Sequence, residues 1–545
     1  MTSATPPRLS PLCRVEELRA LEARHAGEPL MERAGAAAAE VARAMATGCA
    51  GPVVVLAGPG NNGGDGFVVA RLLRASFFDV RVVFRGDPAR LPADAAAAWK
   101  AFAAAGGTAL ADPPAQRPAL VVDALFGIGL ARPLAPEFAS LVIWANACGA
   151  PILAIDIPTG LHADTGIATA PAIRATATAT FIALKPGLLT AEGPDFCGEV
   201  TVHALGVDAS AGTVAGGRAL DWDALAADLP EVFARRVKAV HKGSFGSLGI
   251  VGGAEGMGGA VLLAGRAALR TGAGKVWVGF AASDRPAIDS AMPELMLRDA
   301  QAVLDAPASA YVVGCGLGTD ARARELVAKS LAKAVPVVLD ADALTLLGAD
   351  ATLRAATRAR EAPTLATPHP AEAGRLLGGD VAAIQHDRLG AALAIARQLR
   401  AHVVLKGVGS VLAHPDGTFD INRSGNPALA AAGTGDVLAG LVGACLAQQV
   451  EADDALRIAV CLHGAAADLL LARGIGPVGV GASELPDAAR ELLNRPANWV
   501  QTPIPGTGNQ GQTRLSRQEA RASNVSRRSG NGGKLESDPD SSAGR

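Results

Sequence analysis

Near the C-terminal end, Ala431-Ala432-Gly433-Thr434-Gly435-Asp436 runs straight into the apolar stretch Val437-Leu438-Ala439-Gly440-Leu441. Glycines carry no side chain, so backbone N–H groups can crowd toward a ligand. The apolar run with small residues predicts the first turns of a buried helix. These N–H groups then sit at a helix N-terminus, a natural anion site. Asp436 is placed there to act as a base beside a phosphate; the alternative is an aspartate that merely caps the helix. A second candidate, Gly58-Pro59-Gly60-Asn61-Asn62-Gly63-Gly64-Asp65-Gly66, follows the apolar run Pro52–Leu56 and precedes a helix expected from Phe67 to about Arg74. Strand, glycine loop and helix in that order make a phosphate-binding turn, although the spacing is not that of the dinucleotide fingerprint.

Other strand ends carry polar residues in the same way. Val80–Phe84 and Ala119–Val122 read as strands, the latter running into Asp123-Ala124-Leu125-Phe126-Gly127-Ile128-Gly129. Ile152–Ile155 runs into Asp156-Ile157-Pro158-Thr159-Gly160. Downstream, Leu248–Val251 leads to Gly252-Gly253, Tyr311–Val313 to Gly314-Cys315-Gly316-Leu317-Gly318, and Val335–Leu339 to Asp340-Ala341-Asp342. Thr364–Ala366 leads to Thr367-Pro368-His369-Pro370, and His402–Leu405 to Lys406-Gly407-Val408-Gly409-Ser410. Short continuous apolar runs are the mark of strands buried on both faces. One aspartate at a strand end is usually a turn or cap residue, and a lone lysine such as Lys406 is usually on the surface. Their repetition argues instead for crevices beyond the carboxyl ends of parallel sheets.

These residues need elements to hold them. Residues 14–46 have helical spacing, with Leu18, Leu21, Leu30, Met31 and Val41 set among Glu, Arg and many Ala. Residues 207–230 lose strand character and Leu229-Pro230 breaks any helix, so a domain boundary is expected near 225–235. Two large α/β domains in tandem follow from this pattern.

Composition agrees. The chain has 545 residues, 50% hydrophobic and 19% charged, which supplies material for two large cores. A net charge of -2 with no basic stripe argues against a nucleic-acid partner. Seven cysteines with no Cys-x-x-Cys pair point to reduced thiols in the cytoplasm. The polar, proline-bearing N-terminus has no signal-peptide pattern. Residues 428–447 are apolar enough for a membrane span, but the Gly-Thr-Gly-Asp step inside them reads as a buried helix of a soluble protein. No membrane partner is expected. Residues 501–545 are rich in Gln, Gly, Ser, Arg and Asn and are expected to be disordered.

The motifs in combination resemble a known family. Met31-Glu32-Arg33-Ala34-Gly35, Asn61–Gly66, Asp123–Gly127 and Asp156–Gly160 occur in the first half. His241-Lys242-Gly243, Gly252-Gly253, Asp340-Ala341-Asp342, Thr367–Pro370, Lys406-Gly407 and Gly433–Asp436 follow in the second. In this order they resemble the bifunctional NAD(P)H-hydrate repair enzymes, an epimerase domain fused to an ADP- or ATP-dependent dehydratase. The likeness covers about residues 12–495. It implies a Rossmann-like α/β/α epimerase domain over 1–230, a ribokinase-like α/β/α dehydratase domain over 231–500, and the 501–545 tail.

The resemblance also implies site residues. Asn61, Asn62, Gly63, Gly64 and Asp65 would bind the hydrated nucleotide with Gly127, Ile128, Gly129, Leu130, Ala131, Arg132 and Pro133, Arg132 meeting its phosphates. Potassium would be held by Asn62, Asp123 and Thr159, whose oxygens are hard donors. Asp156 would handle the proton at the epimerised carbon, a structural carboxylate being the alternative. In the second domain Ala260, Gly318, His369 and Asp436 would hold the hydrated nicotinamide. Lys406, Gly407, Val408, Gly409, Ser410 and Gly435 would contact the adenine nucleotide. Magnesium would neutralise its phosphates, and the expected partners are hydrated NADH or NADPH, ADP or ATP, and further copies of the chain in a homo-oligomer. Thr159, Cys315 and Ser410 depart from the family's usual serine, proline and threonine, and none removes a needed group. The rival readings are a kinase of the same superfamily acting on a small alcohol, and a non-catalytic nucleotide-binding protein.

Overall fold

Val- and Ala-rich strands build the smaller sheet in the order Ala109–Leu110, Val80–Phe84, Val53–Ala57, Leu120–Ala124, Ile152–Ile155, Ala177–Phe181 and Glu199–His203. All neighbours are parallel. Val53–Ala57 and Leu120–Ala124 are buried along their whole length, as their unbroken apolar character requires. The chain order reverses between these two strands, and that is where a crevice opens beyond their carboxyl ends. The computed structural model describes residues 9–130, 132–210, 216–229 and 240–495; Ala131, the expected boundary at Pro230 and the 501–545 tail fall outside them.

The larger sheet runs Ser10–Leu12, Gly217–Leu220, Phe419–Asn422, Val411–Ala413, His402–Leu405, Thr364–Ala366, Val337–Leu339, Ala310–Val313, Ser247–Gly252, Lys275–Phe280 and Met296–Asp299. It is parallel from His402–Leu405 to Met296–Asp299. An antiparallel meander through Val411–Ala413 and Phe419–Asn422 extends it. Its order reverses between Ser247–Gly252 and Ala310–Val313, which gives a second crevice. Both sheets lie in one compact unit ending at Arg495.

Two expectations need correction. The segment 207–230 is not free of strands: Gly217–Leu220 pairs in parallel with Phe419–Asn422, and Ser10–Leu12 pairs with it in turn. Both strands thus precede residue 230 yet belong to the larger sheet. Nothing local marks them, because a short strand pairing with residues about 200 positions away is stabilised by that partner and not by its own pattern. A Cβ on Gly217 would stand 2.5 Å from the Phe419 ring, so the glycine itself is the packing residue. The second correction concerns the Asn-Asn-Gly-Gly-Asp stretch. Its helix begins at Asn61, not Phe67, and runs to Ala75. Its glycines serve close packing: a Cβ would meet the Gly58 carbonyl oxygen at 2.0 Å from Gly63, Met31 Sδ at 2.6 Å from Gly64, and the Ala124 Cβ at 2.6 Å from Gly66.

The region 14–46 forms two helices, Val15–Arg24 and Leu30–Ala46, parted at Pro29. Among the described residues one helix, Ala452–Ala472, is long and apolar enough to cross a membrane, but 83% of its most apolar window is buried inside the protein. Thr434–Ala447 is the other strongly apolar helix. Its Gly440 lies so close to Gly258–Arg270 that a Cβ would stand 2.2 Å from the Ala264 carbonyl oxygen.

Candidate active sites

The first crevice is a cavity of about 920 Å³. Asn61, Asn62, Asp65, Gly127, Ile128, Gly129, Leu130 and Asp156 line it. Gly63 and Gly64 are buried in helix packing instead, while Arg132 and Pro133 are exposed and lie outside the lining. Asp156 ends its strand with φ +69°, a left-handed conformation that Asp tolerates better than most residues. A Cβ at Gly127 would stand 3.1 Å from Asp156 Oδ2 and 3.3 Å from Asn62 Oδ1, so the two oxygens converge there.

Sequence reasoning missed the lysine that completes this site. Lys185 is 1% exposed, and its Nζ donates to Asp156 Oδ1 at 2.5 Å, Thr180 Oγ1 at 2.8 Å and the Phe181 carbonyl at 3.0 Å. The signal was present as Lys185-Pro186-Gly187 beyond the strand Ala177–Phe181, a strand that the pattern of apolar runs did not single out. Burial pushes the Asp65 carboxyl well above its ordinary range, and the charges of Asp156 and Glu22 add to this. Glu22 is raised too, by burial first and then by Asp156. One lysine therefore sits among three crowded carboxyls, an arrangement suited to moving protons.

Asp123 and Thr159 lie beneath the cavity floor, both 0% exposed. The Thr159 hydroxyl donates to Asp123 Oδ1 at 2.7 Å and its backbone N–H to Oδ2 at 2.8 Å. Burial pushes Asp123 up to about 6, against these hydrogen bonds. A buried carboxyl with no cationic partner among the described residues, and hard oxygens beside it, suit a bound alkali cation. The Asn62 Nδ2, buried, has no hydrogen-bond partner among the described residues.

In the second crevice Gly433, at φ +87°, caps the helix Thr434–Ala447, and Asp436 occupies its first turn as expected. Asp340 is 2% exposed and accepts from Thr367 Oγ1 at 2.6 Å and from Lys406 Nζ at 2.9 Å. Burial lowers the Lys406 pKa, but Asp340 and Glu372 more than reverse this and hold it above its ordinary value. Lys406 Nζ would stand 3.3 Å from a Cβ on Gly435, so the ammonium abuts the helix N-terminus. Asp436, Asp340 and Cys315 offer ligand atoms within 4.8 Å of one another. Burial and then Asp340's charge push Asp436 up to about 6, the range of a general base at neutral pH.

His369 is exposed and caps the helix Pro370–Leu377: its Nδ1 accepts from the Ala371 and Glu372 N–H groups at 3.1 and 3.3 Å. Gly318 N–H donates to Asp342 Oδ2 at 2.8 Å. Ala260 approaches the same loop, 3.3 Å from a Cβ on Gly316. The structure thus joins Asp436, Lys406 and Gly435 directly, with Asp340, Asp342, Cys315, Thr367 and Glu372 around them. The two carboxylates Asp340 and Asp436 suit magnesium as partial ligands whose remaining partners are phosphates, whereas the Cys315 thiol is too soft for that ion.

Two crevices at the switch points of parallel sheets, each furnished with acid–base groups, define a two-site α/β enzyme. Residues 248–488 match the family model described as NAD(P)H-hydrate dehydratase, and residues 27–187 match that of the YjeF-related protein N-terminus. The bifunctional NAD(P)H-hydrate repair enzyme of Escherichia coli (strain K12) is 39% identical over 474 residues, covering 85% of this chain and 89% of that one. That of Leishmania major is 37% identical over 496 residues, with 84% and 88% covered. A Bacillus subtilis ADP/ATP-dependent NAD(P)H-hydrate dehydratase, co-crystallised with ATP/Mg2+, is 33% identical with a TM-score of 0.43, covering 48% of this chain and 95% of that one. The chain belongs to the family of bifunctional NAD(P)H-hydrate repair enzymes.

Proposed function

We propose that this chain repairs hydrated NADH and NADPH, epimerising the R and S forms in the first crevice and dehydrating the S form in the second at the expense of ADP or ATP. The observation that carries the second half is the raised Asp436 beside the Asp340–Lys406 pair at a helix N-terminus. Asp436 accepts the proton of the hydrate's hydroxyl as that oxygen attacks the terminal phosphoryl group. The Gly433–Gly435 amides and Lys406 steady the charge on the transferring group. The C–O bond of the phosphate ester then breaks, inorganic phosphate leaves, and the neighbouring ring carbon releases a proton to solvent, which restores the ring double bond; AMP or ADP remains. Lys406–Ser410 and Gly435 hold the nucleotide, and Ala260, Gly318 and His369 flank the nicotinamide. Magnesium, when bound, neutralises phosphate charge beside Asp340 and Asp436.

In the first crevice Asp156, paired with Lys185, moves the proton at the epimerised carbon, while Asn62, Asp123 and Thr159 hold potassium. Seven free cysteines agree with a cytoplasmic setting. Incubating mixed epimers with ADP or ATP and following dihydropyridine absorbance tests the whole reading: complete conversion with release of phosphate is expected, and a stable phosphorylated alcohol would refute it. Dehydration should rise with pH through an inflection near 6, because Asp436 works in its ionised form. A kcat/KM profile flat between about pH 5 and about pH 7 would remove Asp436 from that role. For the cation, Thr159→Val is expected to abolish any potassium dependence of epimerisation. Its rates in potassium and in choline would become equal, whereas a potassium response matching the unaltered enzyme would disprove the ligand set.

A further inference from the structure

The loop Lys406-Gly407-Val408-Gly409-Ser410 is held from beneath by the other domain. Thr190 follows the epimerase-site lysine by five positions and is 0% exposed. Its hydroxyl stands 3.0 Å from both the Val408 and Gly409 carbonyl oxygens and donates its one proton between them. The same oxygen accepts from Arg388 Nε at 3.0 Å. Arg388, 1% exposed, also donates through Nη2 to the Leu405 and Lys406 carbonyls at 3.2 and 3.3 Å and through Nη1 to Gln385 at 2.7 Å.

Both loop glycines are explained by this contact. Gly407, at φ +140°, would place a Cβ 2.9 Å from the Arg388 guanidinium. Gly409, at φ +56°, would place one 1.8 Å from the Leu189 carbonyl oxygen, a backbone atom that cannot yield. The opposite side of the loop is open, with Val408 60% exposed. A guanidinium forked across two carbonyls and a hydroxyl fixes a loop in one conformation, because each lost contact leaves a buried donor unpaired.

We propose that Thr190, bonding the loop directly and together with Arg388, positions the nucleotide loop of the dehydratase domain, so that affinity for ADP or ATP depends on how the N-terminal domain is seated. This rests on the reading that Lys406–Ser410 contacts the nucleotide. Thr190 is a positioning residue and touches no substrate.

The test uses the full-length chain with Thr190→Val, Thr190→Ser and Val408→Asp, measuring ADP binding by calorimetry and KM and kcat for dehydration. Thr190→Val is expected to raise the Kd and KM for ADP about tenfold, the scale of one lost charge-assisted hydrogen bond, with kcat within about twofold. Epimerisation should be unchanged, and Thr190→Ser should restore the affinity. Val408→Asp, which sets a carboxylate on the exposed side of the loop where the anionic nucleotide would lie, tests the loop reading separately. If it weakens ADP binding while Thr190→Val does not, the positioning role is overturned and the loop reading stands. If neither variant changes binding, both fall. A Thr190→Val protein with a lower thermal midpoint and unaltered ADP affinity has lost only a structural contact, which also overturns the proposal. Should Thr190→Val fail to fold, Arg388→Lys, which keeps the charge and loses the fork, is expected to give the same KM-only defect.

Discussion

Asp436→Asn is expected to reduce dehydration by about 10²–10⁴-fold, the usual contribution of a general base, with ADP binding largely retained. Asparagine keeps the shape of the side chain and its place in the first helical turn, but cannot take the hydroxyl proton. The same variant should be more stable at neutral pH. Asp436 is raised from its ordinary value of 3.8 to about 6, by burial first and then by Asp340. Its folded pKa lies above the unfolded one, so its favourable contribution is complete below about 3.8 and lost as pH rises through about 6. At neutral pH the ionised group therefore opposes folding. A shift of about two units corresponds to about 2.7 kcal/mol; partial exposure reduces this, and a gain of about 1 kcal/mol is expected. Thermal unfolding of both proteins at neutral pH and near pH 4 checks the sign, since the difference should shrink in acid. Full dehydratase activity in Asp436→Asn would sink the assignment. A lower midpoint at neutral pH would remove the electrostatic argument.

Asp156→Asn should stop epimerisation, by about 100-fold or more, while leaving dehydration of the S form at its normal rate. The variant keeps a hydrogen-bonding partner for Lys185 and removes the charge among Glu22, Asp65 and Lys185. With mixed epimers and ADP, absorbance should rise quickly to the S share and then follow only the slow spontaneous exchange of R into S. Complete rapid conversion would show Asp156 to be a structural carboxylate. Lys185→Met tests the same pair from the other side, although removing one partner of a buried ion pair typically costs about 3–5 kcal/mol and its folding must be checked first.

Much of the candidate site was legible because it is local. The Gly433–Asp436 turn, the strand ends at Asp123, Asp156 and Asp340, and the order of strand, loop and helix each lie within a few consecutive residues. A short apolar run bounded by glycine or aspartate specifies a buried strand and its exit with little help from the rest of the chain. The family motifs, all read from such stretches, led to the same two-domain α/β reading that the sheets now have.

The tertiary structure alone decided which of those ends meet and what each glycine is for. Lys185 joins Asp156 only because two neighbouring strands end side by side, 29 positions apart in sequence. Ser10–Leu12 and Gly217–Leu220 enter the larger sheet because Phe419–Asn422 offers an edge, and no periodicity in three or four residues announces such a partner. Gly63 and Gly64 read as phosphate-loop glycines and prove to be contacts between a helix and its neighbours. Gly407 and Gly409 read as nucleotide contacts and also make room for Arg388 and Leu189 beneath them. A glycine in the sequence says that a side chain is absent, whereas the atom occupying the vacated space comes from a distant part of the chain and is known only once the chain has folded.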